Sequence, residues 1–193
     1  MNRKRVAILI SGRGSNMMAL IEAAKAPDYP AQIALVVSNV PEADGLARAR
    51  AAGTATAVLD HKPFGKHRAG FEGALQKILD EHRIELVCLA GFMRLFTAEF
   101  VQRWSGRMIN IHPSLLPLFP GLDPHGQALR AEAKTSGATV HFVVPETDAG
   151  PIVAQESVAV LPGDTSDSLA ARVLEAEHRL YPRALRLVIE KLA

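Results

Sequence analysis

The sequence predicts an α/β fold: an open, mostly parallel sheet with helices on both faces and an antiparallel strand pair near its C-terminal end. Three observations predict it. Short runs rich in Leu, Val and Ile recur through the first half of the chain, segments with apolar spacing near three to four residues separate them, and two strand-like runs beyond Pro120 are joined by a short connection.

The first run, Arg5 to Ser11, follows a basic start, Asn2-Arg3-Lys4-Arg5. Its apolar stretch Val6-Ala7-Ile8-Leu9-Ile10 is too short for the hydrophobic region of a signal peptide and is interrupted at once by Ser11-Gly12-Arg13-Gly14, so it reads as a strand. Further strands are predicted at Ile33 to Ser38, Ala55 to Leu59, Glu85 to Ala90 and Arg107 to Asn110. Helices are predicted between the first four, at Asn16 to Ala26, Ala43 to Ala52 and Lys66 to His82. Near-continuous apolar strands separated by helices are the pattern of a parallel sheet covered on both faces. Pro113, Pro117 and Pro120 keep the chain irregular after the fifth strand. Thr139 to Val144 and Ile152 to Val160, joined through Pro145-Glu146-Thr147-Asp148-Ala149-Gly150-Pro151, predict an antiparallel pair. Asp167 to Lys191 reads as a helix with Thr165 or Ser166 as its N-cap and Pro182 as a kink or break. Together these elements predict a Rossmann-like sheet in a single domain over residues 1–193.

With 193 residues and 48% hydrophobic content the chain is long enough for one well-cored domain. A net charge of +2, with no long block of like charge, argues against a nucleic-acid groove or a polybasic membrane anchor. No apolar stretch approaches the roughly 20 residues that span a bilayer. The lone Cys88 excludes an internal disulfide and suits a reducing compartment, so a cytoplasmic protein with small-molecule substrates, monomeric or homodimeric, is expected. No Cys/His or His-Glu-x-x-His spacing suggests a metal.

Chemistry-bearing residues gather where strands end, which is where open α/β sheets bind ligands. In Met108-Ile109-Asn110-Ile111-His112-Pro113, alternation places Asn110 and His112 on one face of an extended segment, an amide and an imidazole suited to acyl transfer; a hydrogen-bonded loop anchor is the alternative. Ser11-Gly12-Arg13-Gly14-Ser15-Asn16 opens a helix, so that Gly14, Ser15 and Asn16 could offer backbone amides to a phosphate, or form only a tight turn. The run lacks the dinucleotide fingerprint and the P-loop lysine. Gly91-Phe92-Met93-Arg94-Leu95-Phe96 leaves the fourth strand: core packing accounts for Met93, Leu95 and Phe96 on composition, and only their place at a strand end admits a flat heteroaromatic ring. Asp148 either stabilises its turn or reaches His112. His141 suits a packed or supporting position, and His61, His67 and His82 look like surface residues.

The string from Asn110 through Pro117 with Phe119-Pro120-Gly121 resembles the signature of the folate-dependent formyltransferases. From Val6 to about Tyr181 the chain is similar to the phosphoribosylglycinamide formyltransferases among them. The resemblance implies transfer of a formyl group from 10-formyltetrahydrofolate, a co-substrate, to the amine of glycinamide ribonucleotide in purine biosynthesis, without a metal. It implies Asn110, His112 and Asp148 as catalytic, Gly14, Ser15, Asn16 and Glu177 as contacts of the ribonucleotide, and Arg68, Met93, Arg94, Leu95, Phe96 and Asn110 as contacts of the folate. One segment departs. Where that family has a His-x-His-Arg-Gln-Ala-like sequence, this chain has Asp123-Pro124-His125-Gly126-Gln127-Ala128, which suggests altered mobility or substrate contact beside the site. The alternative activity is that of a formyltetrahydrofolate deformylase, with water as acceptor, although those enzymes normally carry an extra N-terminal module. Methionyl-tRNA formyltransferases share the Ser-Leu-Leu-Pro motif but need a further C-terminal domain. A binding module with a degraded site is the non-enzymatic reading.

Overall fold

The computed structural model describes residues 3–192; Met1, Asn2 and Ala193, the ends of the expected 1–193 span and part of the basic start, lie outside it. In chain order the elements are β1 (Lys4–Ile10), α1 (Ser15–Ala23), β2 (Ala31–Ser38), α2 (Asp44–Ala51), β3 (Thr56–Val58), a 3-10 turn at Lys62–Phe64, α3 (Arg68–Glu81) and β4 (Leu86–Leu89). They continue as α4 (Ala98–Arg103), β5 (Met108–His112), α5 (Pro124–Arg130), β6 (Thr135–Phe142), β7 (Ile152–Ala159) and α6 (Ser166–Leu192). All strands join one sheet in the order β3-β2-β1-β4-β5-β6-β7. The first five run parallel, β6 is antiparallel to β5, and β7 is antiparallel to β6. This is the mostly parallel, Rossmann-like architecture with a late antiparallel pair that the apolar runs predict, and the reversal already begins between β5 and β6.

Strand alternation divides the core. Val6, Ile8 and Ile10 of β1 face the side covered by α1 and α6, with Met17, Leu20, Leu180, Tyr181 and Leu185, whereas Ala7 and Leu9 face Phe71, Leu75 and Leu79 of α3, Phe100 of α4 and Trp104 just after it. Burying both faces explains why these strands carry apolar residues at nearly every position.

Three local differences from the sequence reading have plain causes. The region after Pro120 is not irregular throughout, because Asp123 caps α5 and Pro124 occupies its first turn, a favoured place for proline. Strand β6 starts at Thr135, ahead of the predicted Thr139, since its small residues Ser136, Gly137 and Ala138 pair with β7. Finally, α6 runs through Pro182 without a break. Thr165 is the cap at its start: its Oγ1 accepts from the Ser168 amide at 3.2 Å and the Ser168 hydroxyl accepts from the Thr165 amide at 2.9 Å.

Candidate active site

Asn110 and His112 occupy alternate positions of β5 and share the face of Met108, at the strand's C-terminal end. On β6, His141 registers opposite Asn110 and Thr139 opposite His112. The Asn110 Nδ2 atom lies 3.2 Å from His141 Nε2. His141 donates from Nδ1 to the Phe142 carbonyl at 3.0 Å, and burial lowers its pKa, with Phe142 and Asp148 opposing that change. His141 is therefore the neutral imidazole whose Nε2 lone pair accepts from Asn110, which assigns the Asn110 nitrogen and leaves its second N–H free.

Asp148 closes the group. One carboxylate oxygen, Oδ2, is 3.5 Å from His112 Nδ1 and accepts from the Gly121 amide at 2.9 Å; the other, Oδ1, is 3.7 Å from His141 Nε2. The side chain is 9% exposed, and the backbone is held at a φ of 54°, uncommon for a residue other than glycine. The opposite edge of the His112 ring donates from Nε2 to the Phe119 carbonyl at 3.0 Å. The loop that supplies Phe119 and Gly121 is anchored below: Thr139 Oγ1 donates to the Ser114 carbonyl and accepts from the Leu116 amide, and Ser114 Oγ donates to the Leu118 carbonyl.

Around the same sheet edge, Gly14 takes a left-handed φ of 69° as the residue before α1, whose first amides no side chain caps. A Cβ at Gly14 would come within 3.1 Å of the Gly45 backbone at the start of α2, so glycine is required both for conformation and for this close approach. Behind the loop, Glu177 of α6 is only 6% exposed, and burial pushes its carboxyl up to about 7, moderated by hydrogen bonding to Asn16. The Asn16 Oδ1 atom is buried without a protein partner. A helix N-terminus with free amides beside an unpartnered buried oxygen suits a polar, anionic ligand.

The β4–α4 loop is tied to this loop through Ser11, whose hydroxyl accepts from the Met93 amide at 2.9 Å and donates to Asn39 Oδ1 at 2.5 Å. Met93 and Leu95 are 69% and 64% exposed, whereas Phe96 lies between Phe92 and Phe100 in a stack of rings. Arg94 sits over the Phe71 ring, and Arg68 is exposed at the first position of α3. The structure thus gathers Asn110, His112 and Asp148; Gly14, Ser15 and Asn16 lie beside Glu177, and Met93, Arg94 and Leu95 form a rim while Phe96 packs inward.

The matching family model spans residues 4–185 and describes formyl transferases. The chain belongs to the formyl transferase family. A phosphoribosylglycinamide formyltransferase from Brucella melitensis of known structure is 55% identical, with a TM-score of 0.91 and coverage of 96% of this chain and 95% of that one. The glycinamide ribonucleotide transformylase 1 of Symbiobacterium toebii is 43% identical with a TM-score of 0.94, covering 98% of this chain and 89% of its own. The Escherichia coli K12 phosphoribosylglycinamide formyltransferase is 44% identical over 92% of this chain and 83% of its own length. Among curated relatives, the chain also matches the trifunctional purine biosynthetic protein adenosine-3 of Gallus gallus at 50% identity, spanning 18% of that protein's length.

In this member of the family, backbone and supporting groups carry little signal in the sequence. The Phe119 carbonyl and Gly121 amide have no side-chain signature, and His141 reads as either packed or supporting until its register opposite Asn110 is known. At the departing segment, Asp123 folds over Gly126: its Oδ1 accepts from the Gly126 amide at 3.1 Å, and a Cβ at Gly126 would overlap the carboxylate. Asp123 and Gly126 are therefore sterically and hydrogen-bond coupled. Among the described residues, no group of three or more His, Cys, Asp or Glu side chains could hold a metal, and no helix is long and apolar enough to cross a membrane.

Proposed function

We propose that this chain transfers the formyl group of 10-formyltetrahydrofolate to the amine of glycinamide ribonucleotide. The observation that carries the reading is the Asn110–His112–Asp148 cluster at the sheet edge, flanked by the amide-lined start of α1 on one side and the apolar Met93–Leu95 rim on the other. Near-full-length similarity to phosphoribosylglycinamide formyltransferases supports it.

In this reading the first amides of α1, at Ser15 and Asn16, hold the phosphate, and Glu177 with the Asn16 side chain takes hydroxyls of the ribose. The folate ring lies against Met93 and Leu95, with Arg94 beside it, Phe96 stiffening the loop from behind, and Arg68 suited to the folate carboxylates. The amine attacks the formyl carbon and negative charge grows on the formyl oxygen. Asn110 meets that charge with the N–H not spent on His141. His112 presents a second N–H once the substrate oxygen takes the place of the Phe119 carbonyl, and each such donor is worth roughly 3 kcal/mol in a transition state. The proton lost by the amine passes by way of the His112 and Asp148 pair to the departing folate nitrogen, so that charge and protons balance.

Mixing the protein with 10-formyltetrahydrofolate and glycinamide ribonucleotide and following tetrahydrofolate release tests this reading. Formylglycinamide ribonucleotide is the expected product. Release of the formyl group only as formate assigns water as the acceptor, and binding without turnover removes the enzymatic reading.

A further inference from the structure

We infer that Tyr181 is a positioning residue for Asn110, its hydroxyl orienting the peptide plane from which the Asn110 side chain departs. The inference rests on the proposed role of Asn110. Tyr181 is wholly buried on α6, and its hydroxyl lies 2.8 Å from the Leu89 carbonyl and 3.3 Å from the Ile109 carbonyl. A phenol has one proton to donate, so the two carbonyls share it, with Leu89 taking the larger part. Burial raises the Tyr181 pKa well above its ordinary value, which keeps the group a donor at every working pH.

The identity of those two carbonyls matters. Leu89 is the last residue of β4 and registers against Asn110, so strand pairing ends at the catalytic position. The Ile109 carbonyl belongs to the same planar amide as the Asn110 nitrogen, so a grip on that oxygen sets the tilt of the plane and with it the direction of the Asn110 Cα–Cβ bond. Tyr181 acts from the α6 side of the sheet, whereas the Asn110 side chain leaves on the opposite face and meets His141 on the neighbouring strand. The amide is thus held at its far end by an imidazole and at its root by a phenol. Stabilisation of a developing oxyanion depends on donors placed in advance, and a small tilt at the root is amplified at the end of the side chain.

A competing role comes from the same helix. Glu177 lies one turn before Tyr181 on the same face, so the phenol could serve only to seat α6 and hence the ribonucleotide contact. Steady-state kinetics separate the two. Tyr181→Phe should lower kcat about tenfold while both KM values stay within twofold, and in an Asn110→Ala background the same change should alter the residual rate less than twofold. A full kcat, a raised ribonucleotide KM at normal kcat, or equal losses in both backgrounds would overturn the assignment. Should Tyr181→Phe fail to fold, uniform 3-fluorotyrosine labelling of a Tyr29→Phe protein keeps the ring and strengthens the donor with a small added volume; against the unlabelled Tyr29→Phe protein kcat should shift with KM held, and an unchanged kcat overturns the inference. If the wild type proves to use water as acceptor, the same comparisons run on formate release, because Asn110 faces the same oxygen. A wild type that turns over neither acceptor removes the proposed function and this inference with it.

Discussion

Replacing Glu177 by Gln should make the protein more stable above neutrality, with the gain shrinking as the pH falls toward 4.5. The carboxyl is buried on α6 and its pKa rises from 4.5 to about 7, chiefly through desolvation. Below pH 4.5 the group is protonated both folded and unfolded and costs nothing. Between 4.5 and about 7 the folded chain keeps the proton while the unfolded chain has released it, so stability falls as pH rises. Above that window the folded protein carries a buried anion at full cost. At about 1.4 kcal/mol per pH unit, the distance between the two pKa values amounts to about 3 kcal/mol, or roughly 6 to 12 °C in Tm for a chain of this size. Glutamine has nearly the same shape and no charge, so it avoids this cost. Urea unfolding of both proteins at pH 5, 6, 7 and 8.5 measures the difference, which should grow from about a quarter of its full value at pH 5 to the whole of it at pH 8.5. A difference that does not change with pH, or a glutamine variant that is less stable at pH 8.5, would refute the argument. That a native chain keeps a costly carboxylate here accords with a ligand-binding role, since stability is commonly sacrificed at functional sites.

Three further outcomes are expected. His112→Ala should lower kcat by about 100-fold or more with circular dichroism unchanged, the loss associated with removing one transition-state donor; near-normal turnover would take His112 out of the mechanism. Asn16→Ala should raise the KM for the ribonucleotide far more than that for the folate, because the unpartnered Asn16 Oδ1 lies beside Glu177 and not at the Met93 rim; equal effects on both substrates would contradict the assignment of that loop. Gly126→Ala should lose the Asp123 cap, worth about 1 kcal/mol, because the methyl displaces the carboxylate, and this loss offsets the roughly 0.5–1 kcal/mol that alanine gains over glycine inside α5, so urea unfolding should show little net change. In an Asp123→Ala background the same change should stabilise by about 0.5–1 kcal/mol, and the same effect in both backgrounds would show that the two positions are not coupled.

The parallel half of the sheet is readable from the chain because its central strands β1, β2 and β4 carry long apolar runs and the crossovers among the first four strands carry a helical period, signals that rely only on local residues; the short α4 between β4 and β5, with a single turn or so of apolar spacing, gives no such signal. Helix α5 was hidden because prolines at 113, 117 and 120 read as a continuing loop, although Asp123 and Pro124 together form a helix start. Pro182 suggested an interruption, yet α6 continues through it. Burial of Leu180, Tyr181, Ala184 and Leu185 on both sides of the proline anchors the helix, and the Tyr29 hydroxyl donates to the Pro182 carbonyl at 2.7 Å. Packing of this kind outweighs the loss of one backbone hydrogen bond.

The arrangement of the site depends on the part of the sheet that local patterns describe least well. Alternation puts Asn110 and His112 on one face, but it says nothing about what meets them there. Strand β6 passes β5 in the reverse direction, so that Phe142, its last residue, lies opposite Ile109, near the start of β5, and the β6–β7 connection leaves well below the rim where Asn110 and His112 stand. For Asp148 to stand 3.5 Å from His112, that connection must fold back over the face of β5, and the contacts that hold it there are the Gly121 amide on its carboxylate and the left-handed backbone of Asp148 itself. Both are tertiary in origin: one comes from a loop 27 residues away in sequence, the other from a conformation most residues avoid. The reversal also brings His141 into register with Asn110 from a strand whose own composition signals only burial. A parallel β6 with the same residues would place its end at the rim with no return path over β5, leaving the Asn110 amide without its acceptor and His112 without its carboxylate. The antiparallel turn of the sheet is therefore what converts two polar residues at a strand end into an ordered cluster of amide, imidazoles and carboxylate.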